Sequence, residues 1–191
     1  KRAVEIELFD YESQLKVAID PNSYPTPGTK VLAWPTPSHA ITQVFGNTDF
    51  SKTHASLYNG KGHNGIDLRA SIGTPITSAA SGKVMGTGNT DTVCVGASYG
   101  KWVLVKHKNG LSTLYAHLSL IKVKEGDEVL SGSLLGYSGD TGYATGPHLH
   151  FAVYASMGVR IDYLKSKNPS CGTYRMPLAP FNAYLNPQSY L

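Results

Sequence analysis

Gly146-Pro147-His148-Leu149-His150-Phe151, with Val153 and Tyr154 close behind, reads as a β-strand that starts at a Gly-Pro turn. Residues two apart on a strand share a face. His148 and His150 therefore present two imidazoles side by side, while Leu149 and Phe151 point the other way, toward a core. Two parallel imidazoles on one strand are half of a metal site or of an acid–base pair, and by themselves they are equally a pair of surface histidines.

Working outward, the same kind of segment recurs upstream. Residues 41–45, 75–79, 83–85, 93–95, 102–107 and 111–116, position 129, and residues 134–137 are short, β-prone and punctuated by glycine, of which the chain holds 20. They follow one another about every ten residues with no long periodic helical segment between them, which predicts a mainly β fold. The expected architecture is an antiparallel sheet core, sandwich-like or a flattened barrel, with an N-terminal helical segment and long loops. Beyond Tyr154 the chain is rich in Pro, Asn and Tyr and is expected to wrap the domain as loops, with enough apolar residues in 181–191 to dock.

The start of the chain differs. Val4, Leu8, Tyr11, Leu15 and Ala18 recur at alternating spacings of four and three, a heptad seam. Val4 to Leu8 also alternate, so a strand is the local competitor, but a helix is the expectation. It is either a single amphipathic helix or the end of a coiled coil whose partner would bind through residues 1–20. Pro21, Pro25, Pro27 and Gly28 then make a linker. The organisation read from this pattern is a helix and linker over residues 1–30 and one domain over 31–191, a length that supports a sizeable core.

The net charge of +4 and the pI of about 9.0 are compatible with an anionic partner such as a polyanionic cell wall, nucleic acid or acidic lipid. The lysines are scattered, and aromatics do not alternate with arginine, which argues against a nucleic-acid platform. No run approaches the roughly 18 apolar residues of a membrane span. The chain begins at Lys1 without a charged-then-apolar leader, and that silence does not argue for a cytoplasmic home. Cys94 and Cys171 allow one intrachain pairing, and neither belongs to a C-x-x-C motif. The alternatives are two buried free thiols or a disulfide, which is the expectation. It would close a long loop worth on the order of 4 kcal/mol and imply an oxidising compartment.

Partners for the histidine pair lie upstream. His63 and Asp67 stand four apart in a glycine-rich stretch where a helix is disfavoured. On a straight strand they would be roughly 13 Å apart, too far for one metal ion. They converge only if the backbone kinks between them, as Gly65 permits. The plainer reading is an aspartate capping local amides. With His150 the two supply two histidines and a carboxylate, a set that leaves a four-coordinate zinc one open position. His148 would then stand beside the metal, and Leu114-Tyr115-Ala116-His117-Leu118 delivers a further histidine and a phenol.

These motifs together resemble the lysostaphin-type (LytM-like) zinc metallopeptidases, a family of peptidoglycan endopeptidases. The resemblance covers residues 40–154. It rests on His63-x-x-x-Asp67, Tyr115-Ala116-His117-Leu118, residues 123–129, and Ser138-Gly139-Asp140-Thr141-Gly142 leading into the opening stretch, with Tyr184-Leu185-Asn186-Pro187 also matching. It implies one Zn2+ per chain held by His63, Asp67 and His150, catalytic roles for His117 and His148, peptidoglycan peptides as substrate, and a home in the cell envelope, periplasmic or extracellular. Tyr115 is a candidate donor to the oxyanion, with core packing as its alternative. Residues 46–62 and 155–175 follow no family pattern, which leaves the cleaved bond open. His39, His54 and His107 receive no role. Two other classes compete with this reading: a biotinyl- or lipoyl-like carrier, which lacks its Met-Lys-Met hairpin here, and a non-catalytic regulator of another wall hydrolase, which a full ligand set disfavours.

Overall fold

The computed structural model describes residues 2–46 and 62–191. Among the described residues one α-helix, α1 (Arg2–Gln14), precedes twelve strands. These are β1 (Ile41–Gln43), β2 (Ile66–Arg69), β3 (Pro75–Thr77), β4 (Gly82–Asn89), β5 (Lys101–His107), β6 (Leu111–Ile121), β7 (Glu128–Val129), β8 (Leu134–Ser138), β9 (His148–Ala155), β10 (Arg160–Lys165), β11 (Thr173–Leu178) and β12 (Tyr184–Leu185). The fold is mainly β and antiparallel throughout, as expected. The main sheet runs β1-β2-β9-β6-β5-β4-β7, with β12 added to β9 and β8 joining β6 to β3. It stays open at its ends.

The central strands are apolar on both faces, because both faces are covered. Val103, Val105, Tyr115, Phe151 and Val153 project into one layer with Ile66, Leu68 and Leu149. Trp102, Leu104, Leu114, Ala152 and Tyr154 project into the other, where Tyr174, Met176 and Leu178 of β11 and Leu8 of α1 close over them. Each such aliphatic or aromatic side chain, fully buried, contributes about 1.5–3 kcal/mol. The β5–β6 hairpin turns at Asn109-Gly110, where Gly110 sits at φ +87° and the Asn109 side chain accepts the Leu111 N–H at 3.1 Å.

Two expectations are corrected. Residues 93–95 form no strand: a 3-10 turn at Thr90–Thr92, capped by Asn89, runs into a loop, and Val95 is exposed. Its β-formers have no neighbouring strand to pair with. The segment after Tyr154 is not all loop, since β10 and β11 pair over Arg160 to Lys165 and Thr173 to Leu178. The alternation of Tyr174, Met176 and Leu178 gives that hairpin a buried face. A disulfide joins Cys94 to Cys171, tying the loop after β4 to the β10–β11 connection.

A helix forms as expected but ends at Gln14, short of Leu15 in the heptad seam, and its buried side chains Glu7, Leu8 and Glu12 dock on the domain. Leu8 is buried in the second apolar layer, and Ala18 lies beyond the last helical residue. Glu12 is buried and accepts hydrogen bonds from the Ala179 N–H (3.0 Å) and the Tyr184 hydroxyl (2.7 Å), while Glu7 accepts the Lys167 N–H (2.9 Å).

Candidate metal centre

Three adjacent strands carry the site. In the β2–β9 register Asp67 lies directly opposite His150 and Arg69 opposite His148, and in β6–β9 Ala116 lies opposite His150. Cross-strand partners share a face, so the pairing itself puts the Asp67 carboxylate against the His150 ring. His63 arrives from outside the strand: it makes an isolated bridge with Gly46, and the chain bends at Asn64 and Gly65 before β2 begins. Gly65 is required there by close approach rather than by an unusual φ. A Cβ at this position would sit 2.5 Å from the Phe151 carbonyl oxygen and 2.9 Å from Cε1 of His150.

The three donor atoms are tightly grouped. His63 Nε2 lies 3.2 Å from Asp67 Oδ1, His150 Nδ1 lies 3.0 Å from the same oxygen, and the two nitrogens are 3.2 Å apart. These separations are close to the roughly 3.4 Å edge of a tetrahedron built on zinc bonds of 2.0–2.2 Å. Nδ1–H of His63 donates to the Val44 carbonyl at 3.1 Å, which leaves Nε2 as the lone-pair nitrogen facing the group. Burial pushes the Asp67 carboxyl upward, but its hydrogen bonds to His150 and His63 and their charges outweigh that and hold it well below the usual carboxylate range. An anionic oxygen and two imidazole nitrogens converging in a buried pocket suit a divalent cation with mixed N/O preference, and the residues present fit zinc.

His117 and His148 stand beside this group. The ring centroids of His117 and His148 are 4.8 Å apart, those of His117 and His150 are 6.0 Å apart, and His148 Nε2 is 3.6 Å from Asp67 Oδ1. Each ring is pinned by a carbonyl, which can only accept: Nδ1–H of His117 donates to Thr141 (2.7 Å) and Nδ1–H of His148 to Gly146 (2.8 Å). A neutral ring held in this way carries its lone pair on Nε2. Burial, reinforced by the neighbouring His148 and His150, brings the His117 pKa down to about 3, so its ring is neutral across the physiological range.

His117 reaches this face through a bulge. Lys101 pairs with Leu118 and Val103 with Tyr115, so Ala116 and His117 together oppose Trp102 alone. His117 takes φ +62°, and strict alternation is broken. Tyr115 and Leu118, three apart, both enter the first apolar layer, while His117 turns to the face of His150.

This corrects the oxyanion candidate. Tyr115 is fully buried on the opposite side of the sheet, where its hydroxyl accepts the Ala79 N–H (2.8 Å) and lies 2.8 Å from the Thr113 hydroxyl. Thr113 in turn meets Nε2 of His107 (2.8 Å), whose Nδ1–H donates to the Ser81 carbonyl (3.0 Å), so His107 is a buried core histidine. A phenol that no sequence motif points to, Tyr99, meets His150 instead. Its ring stacks on His150 with centroids 6.0 Å apart, and its oxygen accepts from the Asn64 amide at 3.2 Å. Burial, then the charge of Glu12, raises its pKa well above the ordinary value and keeps it a donor. Tyr99 lies in a loop with no periodicity to betray it. The one local signal was its place between Gly96 and Gly100, both at positive φ. His54 and residues 47–61 lie outside the described residues.

A cleft of about 650 Å3 opens over the group. Its far wall is made by Leu8, Phe9 and Glu12 of α1 with Phe181 and Tyr184, and the rings of Phe9 and Phe181 lie 4.7 Å apart.

The profile of peptidase family M23 matches residues 61–163, which holds the whole histidine–aspartate group. The chain belongs to peptidase family M23. Among M23 relatives, it is 40% identical over 100 residues to the DD-carboxypeptidase/endopeptidase Mpg of Neisseria meningitidis serogroup B, covering 52% of this chain and 22% of that protein. It is 35% identical over 127 residues to the peptidoglycan DD-endopeptidase ShyA of Vibrio cholerae serotype O1, covering 66% of this chain and 28% of ShyA. The chain thus spans about a quarter of the length of these curated relatives. In three dimensions it is similar to the catalytic domain of the prophage-encoded M23 protein EnpA from Enterococcus faecalis, with TM-score 0.56, 25% identity, and coverage of 84% of this chain and 97% of that one. The M23 match runs from residue 61 to 163, so α1, Phe181 and Tyr184, which wall the cleft, stand outside it.

Proposed function

We propose that this chain is a zinc-dependent endopeptidase that hydrolyses peptide bonds in the stem or cross-bridge of bacterial peptidoglycan, acting in the cell envelope on the periplasmic or extracellular side. The observation that carries this reading is the grouping of His63 Nε2, Asp67 Oδ1 and His150 Nδ1 within 3.0–3.2 Å of one another, flanked by two histidines whose Nδ1–H groups are both tied down. Membership of family M23 and the names of Mpg and ShyA supply the substrate class.

His63, Asp67 and His150 would hold one Zn2+, which when bound supplies Lewis acidity toward a carbonyl oxygen and lowers the pKa of water. Nε2 of His117 and Nε2 of His148 orient the attacking water, take its proton and return one to the leaving amine. The carbonyls of Thr141 and Gly146 keep both rings in the tautomer this requires. Tyr99 stacks on His150 while its hydroxyl is held by the Asn64 amide, so it braces that ring. A regulatory role without catalysis is disfavoured, because all five side chains of the group are present.

Purified protein should contain about one zinc per chain and release new amino termini from isolated sacculi. Digestion of defined muropeptides, with products identified by mass, would assign the bond among D-Ala–diaminopimelate, D-Ala–lysine-type bridge and Gly-Gly. Bound zinc without hydrolysis of any of these walls would favour the regulator.

A further inference from the structure

The loop between β4 and β5 is closed by one carboxylate. Asp91 Oδ1 accepts the Gly96 N–H at 2.7 Å, and its Oδ2 accepts the Gly142 N–H at 3.0 Å. A single side chain thus joins two loops distant in sequence. The seam between them is tight: Tyr143 N–H donates to the Ser98 carbonyl (2.7 Å), Lys101 N–H donates to Thr141 Oγ1 (3.0 Å), and a Cβ on Gly142 would collide with the backbone of Ser98 and Gly100.

Each loop holds His117 by one carbonyl. Tyr99 O, from the first loop, accepts the His117 backbone N–H at 2.9 Å, and Thr141 O, from the second, accepts its ring Nδ1–H at 2.7 Å. His117 stands at φ +62°, where a non-glycine residue persists only because its surroundings over-determine it. The distance between those two carbonyls decides where Nε2 of His117 falls, and among the groups that span the loops bearing them Asp91 contributes both oxygens of one carboxylate.

We propose that Asp91 is a positioning residue for His117: its two carboxylate oxygens set the spacing of the loops whose carbonyls fix the backbone and the ring of that histidine. The proposal rests on the catalytic reading of His117 given above. Both oxygens are needed, because an amide offers one acceptor and turns an NH2 toward the other N–H. Asp91 touches neither the cleft nor the three candidate metal ligands.

The test uses the zinc-loaded full chain and its Asp91→Asn and Asp91→Ala variants. Zinc content and the far-ultraviolet spectrum should match wild type. With a defined muropeptide, kcat should fall by up to about 100-fold, the scale of a mispositioned catalytic group, with KM little changed. In 15N-histidine spectra the His117 Nδ1–H resonance should be sharp and slowly exchanging in wild type and broaden in Asp91→Ala, with the His63 Nδ1–H signal unmoved. Wild-type kcat together with an unchanged His117 resonance in both variants would overturn the proposal. If wild type and His117→Ala both fail to hydrolyse any wall, the functional reading fails, and the imidazole spectrum still decides the clamp. Asp91→Asn, which keeps one hydrogen bond, serves if Asp91→Ala does not fold.

Discussion

Tyr115 and His117 are neighbours but one on β6 and face opposite sides of the sheet, the tyrosine into the core with Phe151 and the histidine onto the face of His150. The bulge opposite Trp102 separates them. Tyr115→Phe should therefore leave turnover close to wild type. It deprives the buried Ala79 N–H of its acceptor, so unfolding in urea should show a loss of about 1–3 kcal/mol. A large fall in kcat at unchanged stability would return Tyr115 to the site.

His148 and His150 lie two apart and are predicted to be unequal. His150→Ala removes one of three metal donors, and zinc retained after dialysis should fall to background. His148→Ala should keep its zinc and lose about 100-fold or more in kcat, the range of a lost acid–base group. Metal analysis and turnover measured on the same preparations separate the two. Full zinc and full turnover in both variants would sink the assignment.

Gly65 abuts the His150 ring, and a methyl group there must displace either that ring or the Phe151 carbonyl. Gly65→Ala should weaken zinc binding by about 10- to 100-fold, comparable to disturbing a group that orients a ligand. Competition with a chelating dye measures it. An affinity equal to wild type would show that the bend tolerates a side chain.

His107 is buried, and burial lowers its pKa below 6.5 despite the opposing pull of its bond to the Ser81 carbonyl. The unfolded chain then binds the proton more readily than the folded one. Stability is at its full value above pH 6.5 and declines as pH falls from there toward the folded pKa. Urea midpoints of metal-free protein between pH 7 and 5 should fall less steeply in His107→Gln than in wild type. Parallel slopes would mean that His107 titrates alike in both states.

The Cys94–Cys171 bridge closes a separation of 77 residues. In the chain-entropy model a loop of that size contributes about 4.5 kcal/mol. Replacing both cysteines by serine, or reducing the wild type, should lower the melting temperature markedly. A melting temperature indifferent to reductant would show that the bridge does not form in solution.

Much of this molecule was legible in the chain itself. Alternation placed His148 and His150 on one face and Leu149 and Phe151 on the other, and β9 obeys it. The need for a bend at Gly65 followed from the length of an extended strand, and the chain bends at Asn64 and Gly65. These readings succeed because period-two alternation and the reach of a backbone are local properties of consecutive residues. The tertiary structure decided the rest. The β2–β9 register set Asp67 opposite His150, and the bulge, which exists only relative to β5, sent His117 to the site and Tyr115 to the core. Residues 93–95 lost their strand for want of a neighbour, 160–178 became a hairpin because an apolar layer was open to it, and Tyr99 and α1 came to the cleft from stretches whose sequence does not point to it. Pairing partners and available surface are properties of the folded whole, and no window of sequence contains them.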